Sequence, residues 1–471
     1  MPRPESPLSE PLSAVDYAWL RMDDPTNLMM INGVLVIEGE MDLDRLREVV
    51  EKRLVSLPRF RDRVARPASR GWPRWEADPD FDLDHHLTAV TLRAPGDDSA
   101  LREVIEGLAS APLDPERPLW HFHVISNYRG GTVLFGRLHH AIGDGVALML
   151  VLLSITDLDA EPADGPCHPN PFTALLGRTG LSLSAVRELA EQIMPDGMRL
   201  LLQPAEAFKK AGRWVTGLAS VGALGRLLLR RPDPKTAFKG PLGVPKCVAW
   251  SEPIPVAEVK ALGKAMGATI NDVLLAAMAG GLRRYLERHH LPAEDLNFRA
   301  AMPVNLRPLD QMAELGNHFG LVFLSLPVGI DDPMQRLQEL RRRATALKRS
   351  VEPVVVFRIL EALGFTPIRI QRWVVGIFAT KATAVATNIP GPREVLYLAG
   401  RPIRDIFFWV PQAGRVGVGI SICSYAGRIR LGVGTDAGLV PDPEVIVEGF
   451  HEELAEMRRR AGVDAAEAAA S

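Results

Sequence analysis

The chain of 471 residues has three cysteines, Cys167, Cys247 and Cys423, far apart and in no Cys-x-x-Cys arrangement. With 11 histidines and no spaced Cys/His set, a zinc site is not expected, and no metal is assigned. So few cysteines suit a reducing compartment. An excess of one charge is also lacking. Lys and Arg number 55 against 57 Asp and Glu, a net of −2, which leaves no electrostatic footprint for nucleic acid. No apolar run reaches the ~20 residues that span a bilayer. The stretch Met1–Ser6 has no charged region leading into an apolar one, as a secretory signal would. The expectation is a cytoplasmic protein, with a place on a membrane surface left open.

What is present is a globular profile, 47% hydrophobic and 24% charged, on a chain too long for one ordinary core. The division expected is a first lobe over 1–160, a linker and helical crossover over 161–245, a second lobe over 246–462 and a flexible Ala-rich tail over 463–471. The first lobe shows a strand from Asn32 to Ile37, a helix opened by Asp42, and two strands, Trp120–Ile125 and Thr132–Leu138, around a hairpin turn at Asn127–Gly131. Pro, Gly and Asp crowd residues 161–180, and 183–230 reads as amphipathic helix. The second lobe opens like the first, with strand Val248–Trp250 and a helix from Pro255. It continues with strands near Phe298–Val304, Gly320–Leu326, Ala384–Thr387, Ile406–Val410, Val416–Cys423 and Ile429–Gly434. The fold class is α/β with mixed sheets.

The sharpest motif is His139-His140-Ala141-Ile142-Gly143-Asp144-Gly145, H-H-x-x-x-D-G, at the end of an apolar strand. An imidazole held by a sheet beside a tight turn is the layout of a positioned general base. Successive strand residues point to opposite faces, so one ring faces a given cleft. His140, nearer the turn, is the choice, with His139 as its packed neighbour. Asp144 either caps the helix that follows, with Gly145 permitting the turn, or pairs with an arginine. The best partner is Arg307, at a strand end in Pro303-Val304-Asn305-Leu306-Arg307. Thr269 and Asp272 fit a capping box, which puts Asn271 in the first, electropositive turn of a helix, where its amide can meet a developing oxyanion or simply face solvent. Pro118-Leu119-Trp120 reads as packing. Asp82-Leu83-Asp84-His85-His86 reads as a solvated edge. The segment from Val354 to Thr380 mixes bulky apolar residues with Arg358, Arg369 and Arg372 and is broken by Pro367. It is either a buried helix pair or an interfacial segment.

Taken in order, Pro118-Leu119-Trp120, the H-H-x-x-x-D-G motif, Asn271-Asp272, Pro303–Arg307, Gly316-Asn317-His318-Phe319-Gly320 and Asn388-Ile389-Pro390-Gly391-Pro392 resemble the bacterial wax ester synthase/diacylglycerol acyltransferases over nearly the whole chain. The resemblance implies two chloramphenicol-acetyltransferase-like lobes joined by a long crossover, with an active-site tunnel between them. It implies His140 as base, Asp144 paired with Arg307, and Asn271 near the reacting carbonyl. It further implies transfer of a fatty acyl group from acyl-CoA, a co-substrate rather than a bound cofactor, to diacylglycerol or a fatty alcohol, giving triacylglycerol or wax ester. A location on the inner membrane face or on lipid droplets goes with such substrates. Two alternatives stand beside this: a condensation-type enzyme taking a carrier-protein thioester, and a non-catalytic lipid-binding protein. Leu148 stands where many relatives have Gly, and Gly143 where a larger apolar residue is common, which bears on the bore of the channel rather than on the reaction.

Overall fold

The computed structural model describes residues 9–66, 71–159, 230–307, 315–347 and 352–463. The linker and crossover helices expected between 161 and 229, and the tail beyond 463, lie outside them. In chain order the first half runs β1 (Glu10–Pro11), α1 (Ala14–Met22), β2 (Met30–Ile37), α2 (Leu43–Val49), β3 (Asp62–Ala65), β4 (Arg74–Ala77), β5 (Leu87–Thr91), α3 (Asp98–Ala109), β6 (Trp120–Tyr128), β7 (Gly131–His139) and α4 (Gly145–Ile155). The second half runs β8 (Lys246–Trp250), β9 (Ile254–Pro255), α5 (Val256–Ala265), α6 (Ile270–Arg288), β10 (Phe298–Asn305), β11 (Phe319–Leu326), α7 (Pro333–Leu347), α8 (Glu352–Gly364), α9 (Ile368–Thr380), β12 (Ala384–Pro390), β13 (Tyr397–Leu398), β14 (Arg401–Trp409), β15 (Val418–Tyr425), β16 (Arg428–Asp436) and α10 (Glu444–Ala461).

Local chemistry explains the element ends. The turn between β6 and β7 puts Arg129 at φ 51° and Gly130 at φ 76°, and that between β15 and β16 puts Ala426 at 45° and Gly427 at 75°. Two consecutive positive-φ residues make the turn whose twist matches paired strands, and glycine removes the steric cost at the second position. Asp42 accepts from the backbone of Asp44 and Arg45 and so starts α2. The expected capping box forms: Asp272 N–H donates to Thr269 Oγ1 at 3.2 Å, and Thr269 N–H to Asp272 Oδ2 at 3.0 Å.

Two mixed sheets carry the lobes. The first has strand order β13-β14-β2-β7-β6-β5, and the second β11-β10-β12-β15-β16-β8 with β9 beside β16. The first therefore takes β13 and β14 from the second half of the chain. The strand expected at Ile406–Val410 within the second lobe instead pairs with β2, Phe407 opposite Val34 and Trp409 opposite Asn32. Local hydrophobic pattern fixes that a strand forms, not which edge it joins. In the second sheet β10 and β12 run parallel, but pair only at Ala300–Ala301 with Ala384–Val385. Pro303, with no N–H to donate, lies just beyond that pairing, and the C-terminal ends of the two strands line a cavity between the lobes. Each lobe has its own apolar core, one around α6 and α10, the other around α4 and Trp120. No single described helix is long and apolar enough to cross a membrane.

Candidate active site

The last residue of β7 is His139, and the chain turns at once into the site. His139 N–H donates to Leu119 O at 3.0 Å and His140 N–H to Met29 O at 2.7 Å, so both backbones are pinned by the first lobe. The two rings part as alternation requires. His139 is buried, with Nδ1 accepting from Ala141 N–H at 3.0 Å and Nε2 3.8 Å from the Asp23 carboxylate, and it does not line the cavity. His140 does line it.

The His140 ring is set by three groups. Its Nδ1 lies 2.8 Å from Asn317 Oδ1. The Asn317 amide orientation is fixed on its other side, where Nδ2 donates to Asp16 Oδ1 at 2.8 Å and to His140 O at 2.7 Å. An oxygen turned that way would face two acceptors, so Oδ1 faces the imidazole and Nδ1 carries the proton. The lone pair is then on Nε2. Trp19 stacks on the ring, centroids 4.3 Å apart and planes 13° from parallel, and Phe319 lies at 5.5 Å. Burial pushes the His140 pKa down to about 4, with the Asp144 carboxylate pulling the other way. The ring is neutral at neutral pH. Burial raises the Asp16 carboxyl, opposed first by the Arg59 guanidinium and then by the Asn317 and Ser13 bonds.

Asp144 serves both roles read for it. Oδ1 accepts from Ala147 N–H at 3.0 Å, capping α4, and Oδ2 accepts from Arg307 Nη2 at 3.0 Å and from His318 N–H at 2.9 Å. Arg307 Nη2 also donates to Gly316 O at 2.7 Å. Both members of the pair are buried. The segment Gly316–His318 thus threads between Asp144 and Asp16. It needs glycine at 316, where φ is 114°.

The cavity, about 270 Å³ in volume, is walled by apolar residues of β2, β7, α4 and β14 on one side and of β10, β11 and β12 on the other. Gly145 and Leu148 line it, so the Leu singled out in the sequence does stand on the bore. A Cβ on Gly145 would come 2.7 Å from Ile389 Cδ1, so a side chain there would have to push the Ile389 tip aside. Its polar lining includes Asn305, Thr387 and Asn388. Asn271 is not in the lining. Its Oδ1 accepts from Asn388 Nδ2 at 2.9 Å, so the amide at the wall is Asn388, with Asn271 behind it. Asp272 caps α6, and Trp120 is core, donating from Nε1 to Phe60 O at 2.8 Å. His86 departs from the solvated edge expected of it: it is buried, stacked on Trp120 at 4.6 Å. Among the described residues no cluster of His, Cys, Asp and Glu could hold a metal.

Three supporting residues had no role in the sequence reading: Asp16, Trp19 and Asn317. Asn317 lay inside a quoted motif. Asp16 carried a signal, an acid among the apolar residues Val15, Ala18 and Trp19 of one helix, where burial demands a partner.

These features define a class, a two-lobed α/β fold with one oriented imidazole opening on an apolar cavity between the lobes. The solved structures it matches share that fold. They include a wax ester synthase/diacylglycerol acyltransferase from Marinobacter aquaeolei VT8 (TM-score 0.69, 20% identity, 96% of this chain and 100% of that one) and the first condensation domain of the calcium-dependent antibiotic synthetase (TM-score 0.62, 14% identity, 98% and 97%). The model of the wax ester synthase/diacylglycerol acyltransferase catalytic domain matches residues 12–274, and that of the WS/DGAT C-terminal domain residues 315–458. A putative diacylglycerol O-acyltransferase of Mycobacterium tuberculosis is 31% identical over 94% of this chain and 96% of its own length. A probable one from the same species is 27% identical over 95% of each. The chain belongs to the wax ester synthase/diacylglycerol acyltransferase family. Its expected class, an O-acyltransferase, is the class of that family.

Proposed function

We propose that the protein moves a fatty acyl group from acyl-CoA to a lipid alcohol, diacylglycerol or a long-chain fatty alcohol, with Nε2 of His140 as general base. The observation that carries this reading is the Nδ1–H···Asn317 bond, which leaves an unprotonated Nε2 on a ring that lines an apolar cavity. Nε2 takes the hydroxyl proton as the alcohol oxygen bonds to the thioester carbon. The tetrahedral intermediate then collapses with cleavage of the C–S bond, and the proton passes from Nε2 to the departing thiolate. The products are an ester and free CoA. Asn317, backed by Asp16, stabilises the transient imidazolium through Nδ1–H. Asn388, held by Asn271, is an amide of the lining that can donate to the oxyanion.

The lining supports direct transfer: among the described residues it contains no Ser or Cys, and Cys423 lies buried elsewhere with its thiol pushed up to about 12. The apolar walls suit an acyl chain and a lipid acceptor. The test is an assay of purified protein with palmitoyl-CoA, hexadecanol and diacylglycerol in competition. Formation of wax ester or triacylglycerol, lost in His140→Ala, is expected. Acylation only from a carrier-protein thioester would refute the donor, and undiminished ester formation by His140→Ala would refute the base.

A further inference from the structure

Helices α8 and α9 are joined through a short turn ending at Pro367, and the two sides of the pair differ sharply. The inner side is core: Val356, Leu360 and Leu363 are buried with Trp19 and Phe319, and Gln371 Nε2 donates to Ala18 O at 2.7 Å. The outer side shows Phe365 at 69% exposure, Trp373 at 67% and Ile370 at 46%. Phe365 and Trp373 are the most exposed large hydrophobic side chains among the described residues, and the only aromatic ones in that group. They do not stand alone. Trp72 stacks on Phe365 at 5.0 Å, and Tyr17 packs edge-on to Trp72 at 5.1 Å, which makes an aromatic strip along this face.

The charge on α9 has one sign. Helix α9 contains Arg369 and Arg372 and no acid. Both arginines are exposed, and neither forms an ion pair among the described residues. On α8, Arg358 is matched by Glu361 at 2.7 Å. Asp24 lies within electrostatic reach of Arg372 without forming an ion pair with it, and its Oδ1 accepts from Thr26 Oγ1 at 2.8 Å. A short helix with an apolar, aromatic face flanked by unpaired arginines suits the boundary between headgroups and acyl chains of an anionic bilayer, whose phosphates attract cations close to the surface.

The position supplies the purpose. Trp19, Phe319, Leu321 and Val385 line the cavity and also belong to the cluster packed beneath the two helices. The loop bearing Gln412 and Ala413, also in the lining, abuts α9, since a Cβ on Gly414 would stand 2.5 Å from that of Ala379. We infer that the outer face of the α8–α9 pair docks on an anionic lipid bilayer. Phe365, Ile370 and Trp373 enter the acyl boundary, Arg369 and Arg372 meet the phosphates, and the acceptor alcohol passes from the bilayer to the cavity. Its last clause rests on the lipid-acceptor reading above.

The test is flotation of the full-length protein with phosphatidylcholine vesicles, with and without phosphatidylglycerol, paired with acylation of diacylglycerol in the same vesicles and of a water-soluble short-chain alcohol. Wild-type protein is expected on the anionic vesicles. The pair Arg369→Glu and Arg372→Glu should lose at least ~tenfold in that partition, as should Phe365→Asp with Trp373→Asp. Both double variants should keep the wild-type rate on the short-chain alcohol and lose it on vesicle-borne acceptor. Unchanged partition of the variants would overturn the proposal, as would equal binding to neutral vesicles. So would a vesicle-free change in oligomeric size on altering the face, which would mark it as a protein contact. Because vesicle binding is read without turnover, an inactive protein that still binds through this face upholds the docking and sinks acyl transfer alone.

Discussion

The base of the cavity is a chain of hydrogen bonds, Asp16 to Asn317 to His140 on one side and Arg307 to Asp144 to His318 on the other. A few steps away the wall is Leu, Ile, Val, Phe and Gly from several elements, with scarcely a polar group. The base draws its members from residues 16, 140, 144, 307, 317 and 318, and each has a fixed partner. The wall tolerates exchange, because apolar contact is non-directional and roughly additive in area. Changes at the base should therefore act on rate or folding, and changes in the wall on which chains fit.

The hardest test of that contrast is His140→Ala, expected to lower turnover by ~10²–10⁴-fold with the melting temperature nearly unchanged. A loss smaller than about tenfold would remove the distinction between the two regions. Next is Arg307→Met, which leaves the Asp144 carboxylate buried without its cation and should cost ~3–5 kcal/mol in chemical denaturation. Asn317→Ala should reduce kcat by ~tenfold, the cost of a lost hydrogen bond to the imidazole, with little change in KM for acyl-CoA. A KM effect alone would place Asn317 in binding rather than in orienting the ring. In the wall, Leu148→Ala should shift the preferred chain length by up to ~tenfold in kcat/KM while sparing the best rate.

The smallest effect should come from pH in the neutral range. With the His140 pKa held near about 4 by burial, kcat/KM should stay level between about pH 8 and about pH 6 and fall only as pH approaches that value. Stability should follow the same groups. His140 and His121, both lowered to about 4, and His123, lowered to about 3, are neutral in the fold but titrate near ~6.5 when unfolded. The unfolded chain then binds more protons, so this contribution is complete above ~6.5 and is lost as pH falls towards 4. A denaturation midpoint flat across that range would contradict the burial of these rings.

Much of the site could be read from the chain because it is local. The strand, the turn and the H-H-x-x-x-D-G spacing lie within fifteen residues; alternation allows one ring to face the cavity, and nearness to the turn pointed to His140. The Asp144–Arg307 pair was also foreseen, since a strand-end arginine answers a buried acid. Other parts were not legible. Asp16 and Trp19 reach His140 from a helix more than a hundred residues earlier, and Asn388 displaces Asn271 from the wall because β12 lies between α6 and the cavity. The α8–α9 segment fitted both a buried helix pair and an interfacial face; its inner side is core and its outer side carries exposed Phe365 and Trp373. Edge pairing of β14 depends on tertiary geometry that no local pattern encodes.

The exchange of β14 across the lobes has a mechanical consequence. A chain ending before residue 401 would leave β2 as a bare apolar edge, ready to pair with any other strand, so the N-terminal half alone should aggregate rather than fold. By the same token the lobes are stitched together and cannot swing wide. Passage of a long-chain lipid must come from small side-chain and loop movements along the cavity, not from parting the two halves.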